Sequence, residues 1–151
     1  MIRQSNAAKG SADTPYPGFA GSAVTHRYEV DILAATVAGD IYEVAPIPPG
    51  CRVTDIVLDS DDLDTGGSAA MVLDVGIMSG DWGSTAQDRT CGDEFFDGAT
   101  TAQAGGVARP TLATAYRTGR SDRARSIGVK VVTEAATAQA GKIGLTVTVA
   151  A

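Results

Sequence analysis

Side chains that could carry acid–base or nucleophilic chemistry are few in this sequence. It has one histidine, His26, and two cysteines, Cys51 and Cys91. A Ser–His–Asp or Cys–His catalytic site needs a histidine. His26 lies beside Tyr28 on the apolar face of a predicted strand, where a structural histidine is the usual case. The motifs GxSxG, GxGxxG, HExxH and the P-loop are absent from the sequence. We therefore predict that the protein is not an enzyme and needs no cofactor.

The two cysteines do not form a metal-binding motif. Cys51 and Cys91 are far apart and lack CxxC spacing. With one histidine, the chain cannot supply the usual Cys and His ligands of a structural zinc site. A disulfide between the two thiols stays open, but two free thiols in a reducing cytosol are the expected state.

Closely spaced carboxylates mark the run DSDDLDTGG, residues 59–67, which we call the acidic turn. Carboxylates near a glycine are what a calcium ion requires, so the weak candidate ligands are Asp59, Asp61, Asp62 and Asp64. The order of an EF-hand loop fails, because Leu63 stands at a ligand position and no glutamate closes the loop. Short acidic turns also cap strands through Asx hydrogen bonds. We predict a structural turn and no metal site.

The elements that would position these side chains are β-strands. Strand-like alternation or β-branched content marks seven segments: 25–33, 41–46, 52–59, 69–78, 112–116, 127–134 and 142–149. Turn residues separate them and no long helical pattern is present, so the sequence predicts an all-β sandwich or barrel. The segment 52–59 is apolar on both faces, which fits either a central strand or a contact with another subunit.

The sequence predicts one domain with an extension before it. Residues 25–151 hold all the predicted strands, whereas residues 1–24 lack periodicity and contain Pro15 and Pro17. Tyr16 and Phe19 are spaced like anchors in that extension. It is either a frayed tail or an extended N-terminal arm that orders against a neighbouring chain. If it is an arm, deleting residues 1–24 should abolish partner binding and leave the fold intact.

The segment 81–110 is the least regular part of the predicted domain. It contains Trp82, Phe95 and Phe96, which either bind a partner or close one end of the core. Residues 100–104 are expected to form one helical turn that ends at Gly105.

Charge is distributed unevenly along the chain. The net charge is −6, yet residues 51–100 are strongly acidic and residues 101–151 are basic, with arginines concentrated in residues 117–125. Such polarity suits complementary protein contacts. The acidic total and the scarcity of aromatic residues near the arginines argue against nucleic acid. No apolar run is long enough to span a membrane and no signal core begins the sequence, so we expect no membrane partner.

Longer runs of the sequence carry a family resemblance. AGDIYEVAPIPPGCRVTDIVLDSDDLDTG, LDVGIMSG, the AQAGG turn and RSIGVKVVTEAATAQAGKIGLTVTV together resemble the decoration (cement) proteins of tailed bacteriophages, over about residues 25–150. These proteins sit on the outside of HK97-fold capsids. The resemblance implies a jelly-roll-like antiparallel β-sandwich without enzymatic activity. It also implies binding to the major capsid protein, self-association with a homotrimer favoured over a homodimer, synthesis in the bacterial cytoplasm and a final place on the outer surface of the virion.

Decoration proteins bind through surfaces, so the contact residues are predicted from the aromatic residues of the N-terminal segment and of residues 81–110 and from the arginines of residues 117–125. The predicted capsid or subunit contacts are Tyr16, Phe19, Trp82, Phe95, Phe96, Arg117, Arg120 and Arg123. Two alternatives stay open. The chain is a head–tail connector or tail component, which would form larger rings, or a calcium- or carbohydrate-binding β-sandwich, for which the sequence offers few aromatic residues.

Overall fold

Within residues 1–12, 18 and 21–151, which the computed structural model describes, nine β-strands form two sheets of five and four strands. The strands are β1 (Ile2–Gln4), β2 (Ala23–Ile32), β3 (Ile41–Ile47), β4 (Arg52–Ser60), β5 (Val72–Ile77), β6 (Phe96–Ala99), β7 (Gly106–Ala108), β8 (Arg125–Thr133) and β9 (Gly141–Ala150). Two short 3₁₀ helices span Thr101–Gln103 and Ala113–Tyr116. The predicted all-β sandwich is confirmed.

Each sheet is built around one long strand from the C-terminal part of the chain. The five-stranded sheet has the order β1-β3-β8-β5-β6, and the four-stranded sheet has the order β2-β9-β4-β7. Neighbouring strands are antiparallel, except that β1 runs parallel to β3. In β9, Ile143, Leu145 and Val147 are buried between the sheets while the threonines that alternate with them are partly exposed. Because side chains alternate between the two faces of a strand, this pattern places the apolar side chains of β9 on the core face of its sheet and the threonines on the other face.

The apolar character of β4 on both sides has a local cause. A register shift against β9 lies between Val53 and Asp55, and such a bulge changes which residues share a face. Val53 therefore joins Ile56 and Leu58 in the core, where all three are buried, while Val57 is only half-buried. The structure places β4 inside its sheet, between β9 and β7.

One predicted strand is wrong, and three strands were missed. Residues 113–116 form a 3₁₀ helix because this segment has a single buried side chain, Ala115, and its alternating Leu112, Thr114 and Tyr116 remain exposed. The missed strands β1, β6 and β7 have only three or four residues each. The segment 81–110 is thus more regular than predicted. The helical turn expected before Gly105 is confirmed, and Gly105 has φ +72°.

The described part of the chain has no helix that is long and apolar enough to cross a membrane.

Candidate contact surface and the residues that position it

The histidine and cysteines are not arranged for catalysis. His26 lies on the same face of β2 as the buried Tyr28, as expected, with its ring 4.6 Å from that of Tyr28 in an edge-to-face contact. It is exposed, however, and not a buried structural histidine. Cys51 is fully buried, and Cys91 is also a free thiol. Burial raises the pKa of Cys91 to about 12. Its thiolate, the reactive form, is therefore scarce at neutral pH.

Asp64 is the organising residue of the acidic turn. Its side chain is buried, and its carboxylate accepts hydrogen bonds from the backbone N–H groups of Ala70, Met71, Ala136 and Thr137 at 2.7, 3.1, 3.0 and 2.8 Å. These bonds lower the pKa of Asp64 to about 2, with the bond from Thr137 the strongest cause. Asp64 thus joins its own turn and the nearby start of β5 to the turn between β8 and β9, which is more than seventy residues away in sequence.

The other carboxylates of the acidic turn also have partners within the chain. Asp59 accepts two hydrogen bonds from the Arg27 guanidinium, at 3.1 and 2.7 Å. Asp61 accepts the backbone N–H of Lys142, and Asp62 accepts that of Asp64. Among the described residues, no group of three His, Cys, Asp or Glu side chains converges as a metal site requires. The arrangement is that of a structural turn.

A buried ion pair holds the loop of residues 79–91, which we call the Arg89 loop, against the outer face of β3. The side chains of Glu43 and Arg89 are 0% and 3% exposed, and Arg89 Nη2 lies 2.7 Å from Glu43 Oε1. Arg89 also donates to Ser126 Oγ and to the carbonyls of Ser79 and Ser84. Because both charges are compensated at short distance, this loop has a defined position on the sandwich.

The same glutamate holds the N-terminal residues. Gln4 Nε2 donates to Glu43 Oε2 at 3.1 Å, and Ser5 N donates to the Glu43 carbonyl at 2.7 Å. Ser5, Ala7 and Ala8 are buried. Residues 1–8 therefore belong to the packed structure. The outcome of deleting residues 1–24 stays a prediction, and these contacts indicate that the deletion would also cost stability. Tyr16 and Phe19 lie outside the described residues, so their docking stays a prediction.

Residues 117–125, which we call the arginine turn, carry cations with few partners. Arg117, Arg120 and Arg123 are exposed. Among the described residues the only ion pair of these three is a long contact, 3.6 Å, from Arg123 to Asp81. Two buried polar atoms of this turn, Thr118 Oγ1 and Arg125 Nε, have no hydrogen-bond partner in the described structure. These two atoms are out of reach of an external partner, but the exposed guanidinium groups of Arg117 and Arg120 suit this turn to a partner that brings carboxylates.

The fold brings Trp82 next to the arginine turn but removes two other predicted anchors from the surface. Trp82 is half-buried, and its backbone N–H reaches the carbonyl of Ala124 at 3.4 Å. Phe95 and Phe96 are 0% and 7% exposed and belong to the core. They close the core because β6 pairs with β5 at this position, which is the second of the two roles expected for them.

Opposite charges lie at opposite ends of the sandwich. Ile47 pairs with Arg125 and Arg52 pairs with Ala150, so the arginine turn and the 48–51 connection share one end. Ser60 pairs with Ile143 at the other end, where the acidic turn follows. The carboxylates there are largely satisfied within the chain. At the arginine end, Arg125 donates to the carbonyls of Cys51 and Gly119, whereas Arg117 and Arg120 have no ion pair among the described residues. The arginine end is therefore the better candidate for an external contact.

Comparison with solved structures shows where this architecture recurs. A chain in the capsid of Ralstonia phage GP4 superposes with a TM-score of 0.95 and 41% sequence identity, over 99% of this chain and 97% of that one. This chain belongs to the same family. It is a phage capsid-type protein with a structural role in the virion, and its neighbours are virion capsid components rather than enzymes.

Two further solved phage capsid structures contain a chain that superposes on this one at lower sequence identity. A chain of the cyanophage Pam1 capsid asymmetric unit matches with a TM-score of 0.65 and 26% identity, over 92% of this chain and 91% of that one. A chain of the acid-stable capsid of Helicobacter pylori bacteriophage KHP30 shares the fold, with a TM-score of 0.50 and 12% identity, over 86% of this chain and 92% of that one. No protein-family model matches the chain, and no curated protein matches it.

Proposed function

We propose that this chain is a decoration (cement) protein that binds the outer surface of an HK97-fold capsid and stabilises it. The observation that carries the proposal is the match, over nearly the full length of both chains, to a chain in the Ralstonia phage GP4 capsid. The match is to a whole small subunit. A sandwich of this size is suited to sit on an existing lattice.

The surface of the chain favours an added subunit over one that builds the shell wall. Obligate assemblies bury large, mainly apolar interfaces of roughly 2,000–5,000 Å². Here the core is formed within one chain. The exposed large apolar residues of the described chain are spread over the N-terminal residues, the 33–37 turn, β7, residues 112–116 and β8. Such a surface is typical of a chain that folds first and attaches afterwards.

The contact is proposed to involve Trp82, Arg117, Arg120 and Arg123, which lie at the arginine end, together with Tyr16 and Phe19 of the N-terminal segment. Phe95 and Phe96 keep only a structural part, because they are buried. We expect the bound form to be a homotrimer on the major capsid protein. Several weak contacts repeated by symmetry then resist the pressure of the packed genome.

The experiment that tests this function is cosedimentation of the purified protein with mature, undecorated capsids of its own phage, followed by electron microscopy of the pellet. Saturable binding at many lattice positions, together with greater heat resistance of the shells, is the expected result. Density at a single vertex would instead identify a connector. A shell wall that cannot assemble without this chain would identify a shell-forming subunit, and absence of binding would refute the proposal.

A further inference from the structure

A cavity of about 530 Å³ opens at one side of the sandwich, where the edges of the two sheets meet. β1 is the edge strand of the five-stranded sheet and β2 is the edge strand of the four-stranded sheet. The walls of the cavity come from β1 and the turn after it, from the last part of β2, and from the Arg89 loop. We call this cavity the edge cleft. None of the contact residues considered so far lines it.

The edge cleft exposes strand backbone that can accept another strand. Ile41 N donates to the Met1 carbonyl and Ser5 N donates to the Glu43 carbonyl. The Met1 carbonyl and the Ser5 N–H, which flank β1 on either side, therefore point toward β3. The alternation of a parallel ladder then turns the N–H and C=O of Gln4 away from β3. No described strand pairs with that side of β1. The Ile2 N–H on that side already donates to Gln87 Oε1 at 3.0 Å, so the N–H and C=O of Gln4 are the groups that β1 offers to a new strand. Unpaired edges of this kind are templates for strand addition.

The charges around the edge cleft favour an acidic occupant. The carboxylates of Glu29 and Asp31 already bind Lys142 Nζ, at 2.9 and 2.8 Å. Arg3 and Lys9, which also line the cleft, have no ion pair among the described residues. Arg3 Nε is buried and has no hydrogen-bond partner in the described structure. A carboxylate that reaches the accessible part of the Arg3 guanidinium would compensate its charge.

A second copy of this chain is a poor source of such a segment. Its other edge strands, β6 and β7, have four and three residues, and the acidic residues of β2 nearest the cleft are paired with Lys142. We therefore propose that the edge cleft binds, by strand addition to β1, an extended carboxylate-bearing segment of the capsid shell subunit. This inference rests on the proposed function and supplies it with a site distinct from the arginine end.

Substitutions at Gln4 separate backbone pairing from side-chain contacts. Gln4→Pro removes the N–H that points away from β3 and leaves the β1–β3 hydrogen bonds in place, as proline is tolerated where an edge strand's N–H faces outward. Gln4→Ala is the matched control, because it loses the same side-chain bond to Glu43 but keeps the N–H. In cosedimentation with undecorated capsids, Gln4→Pro should bind about tenfold more weakly than Gln4→Ala, the effect of one or two lost hydrogen bonds.

Two further measurements keep the test decisive even if a variant folds poorly. Arg3→Gln should also weaken capsid binding about tenfold, as expected for a lost charge-assisted hydrogen bond. Hydrogen exchange on the wild-type protein should show that the backbone amide of Gln4 becomes protected only when capsids are bound. Protection already present in the free protein, or protection that grows with protein concentration alone, would overturn the inference.

The result distinguishes this site from the proposed function. Wild-type protein that binds capsids, together with unchanged binding by Gln4→Pro and Arg3→Gln, would overturn the edge cleft alone. Wild-type protein that binds no capsids would overturn both.

Discussion

The acidic turn and the arginine turn lie at opposite ends of the sandwich and use charge in opposite ways. In the acidic turn, Asp64 accepts four backbone N–H groups and Asp59 accepts both of its hydrogen bonds from Arg27. In the arginine turn, Arg117 and Arg120 have no ion pair among the described residues, and Arg125 Nε is buried without a partner. The charged side chains of the acidic turn are paired within the described chain, whereas two arginines of the arginine turn are not.

This difference shows how to read charged turns. A carboxylate acts structurally when its acceptors are filled by backbone from several segments, because removing it leaves buried donors unpaired. Exposed arginines such as Arg117 and Arg120, which have no ion pair within the described structure, contribute little to stability and are available for binding. Substitutions in the two groups should therefore separate stability from binding.

The largest effect on stability is expected from the charge with the most complete internal pairing. Arg89→Met leaves Glu43 buried without its cation, which should lower the free energy of unfolding by about 3–5 kcal/mol. Urea denaturation followed by circular dichroism measures this loss. The double variant Glu43→Leu/Arg89→Met is the control and should recover part of the loss, because no buried charge remains. A single variant as stable as the wild type would contradict this account of the Arg89 loop.

A smaller loss is expected for Asp64→Asn, since the amide keeps one oxygen that can accept two of the four N–H groups. The pKa of Asp64 is lowered from 3.8 to about 2 in the folded protein. Its stabilisation is therefore complete above the unfolded value and disappears as the pH falls through about 2. The difference in unfolding free energy between wild type and Asp64→Asn should shrink steadily between these pH values. A difference that does not vary with pH would refute the assignment.

Substitution of the arginine turn should affect binding and leave stability unchanged. The triple variant Arg117→Ala/Arg120→Ala/Arg123→Ala should unfold within about 0.5 kcal/mol of the wild type. It should bind undecorated capsids at least about tenfold more weakly, with a reduced dependence on salt. Arg109→Ala removes an exposed arginine that already pairs with Asp55 and serves as the control. Equal capsid binding by the triple variant would exclude the arginine end as a contact.

The smallest effect is expected at the exposed pair between Arg27 and Asp59. Hydrogen bonds from Arg27, first to Asp59 and then to Glu29, raise the pKa of the guanidinium, but both partners are substantially exposed. Arg27→Ala should lower the unfolding free energy by only about 0.2–1 kcal/mol. The loss should decrease further in high salt. A loss as large as that of Arg89→Met would mean that exposure does not govern these charges.

Much of the fold could be predicted because long strands repeat the alternation of apolar and polar residues many times. The alternation in β9 spans ten residues, enough to define a face. β6 and β7 are too short to do so, and in residues 112–116 the alternation occurs without a core to face. Asp64 was recognisable as part of a structural turn, although two of its four donors, Ala136 and Thr137, come from a segment that only the fold brings to it.

The ion pair of Glu43 and Arg89 was missed because its members lie 46 residues apart. One signal was present. Glu43 is a single charge within the apolar run IYEVAPI, and a lone charge in a strand buried on both faces requires a buried partner. The burial of Phe95 and Phe96 depends on the pairing of β6 with β5. No pattern in the sequence indicates this pairing.

The central place of β9 determines when this protein can fold during synthesis. β2 and the greater part of β4 form their ladders on β9 and not on each other. The four-stranded sheet therefore cannot assemble until residues 141–150 have left the ribosome. Until then the apolar faces of β2 and β4 are uncovered, and pairing across more than a hundred residues is slow. The nascent chain therefore keeps the apolar faces of β2 and β4 open to aggregation until β9 has been synthesised.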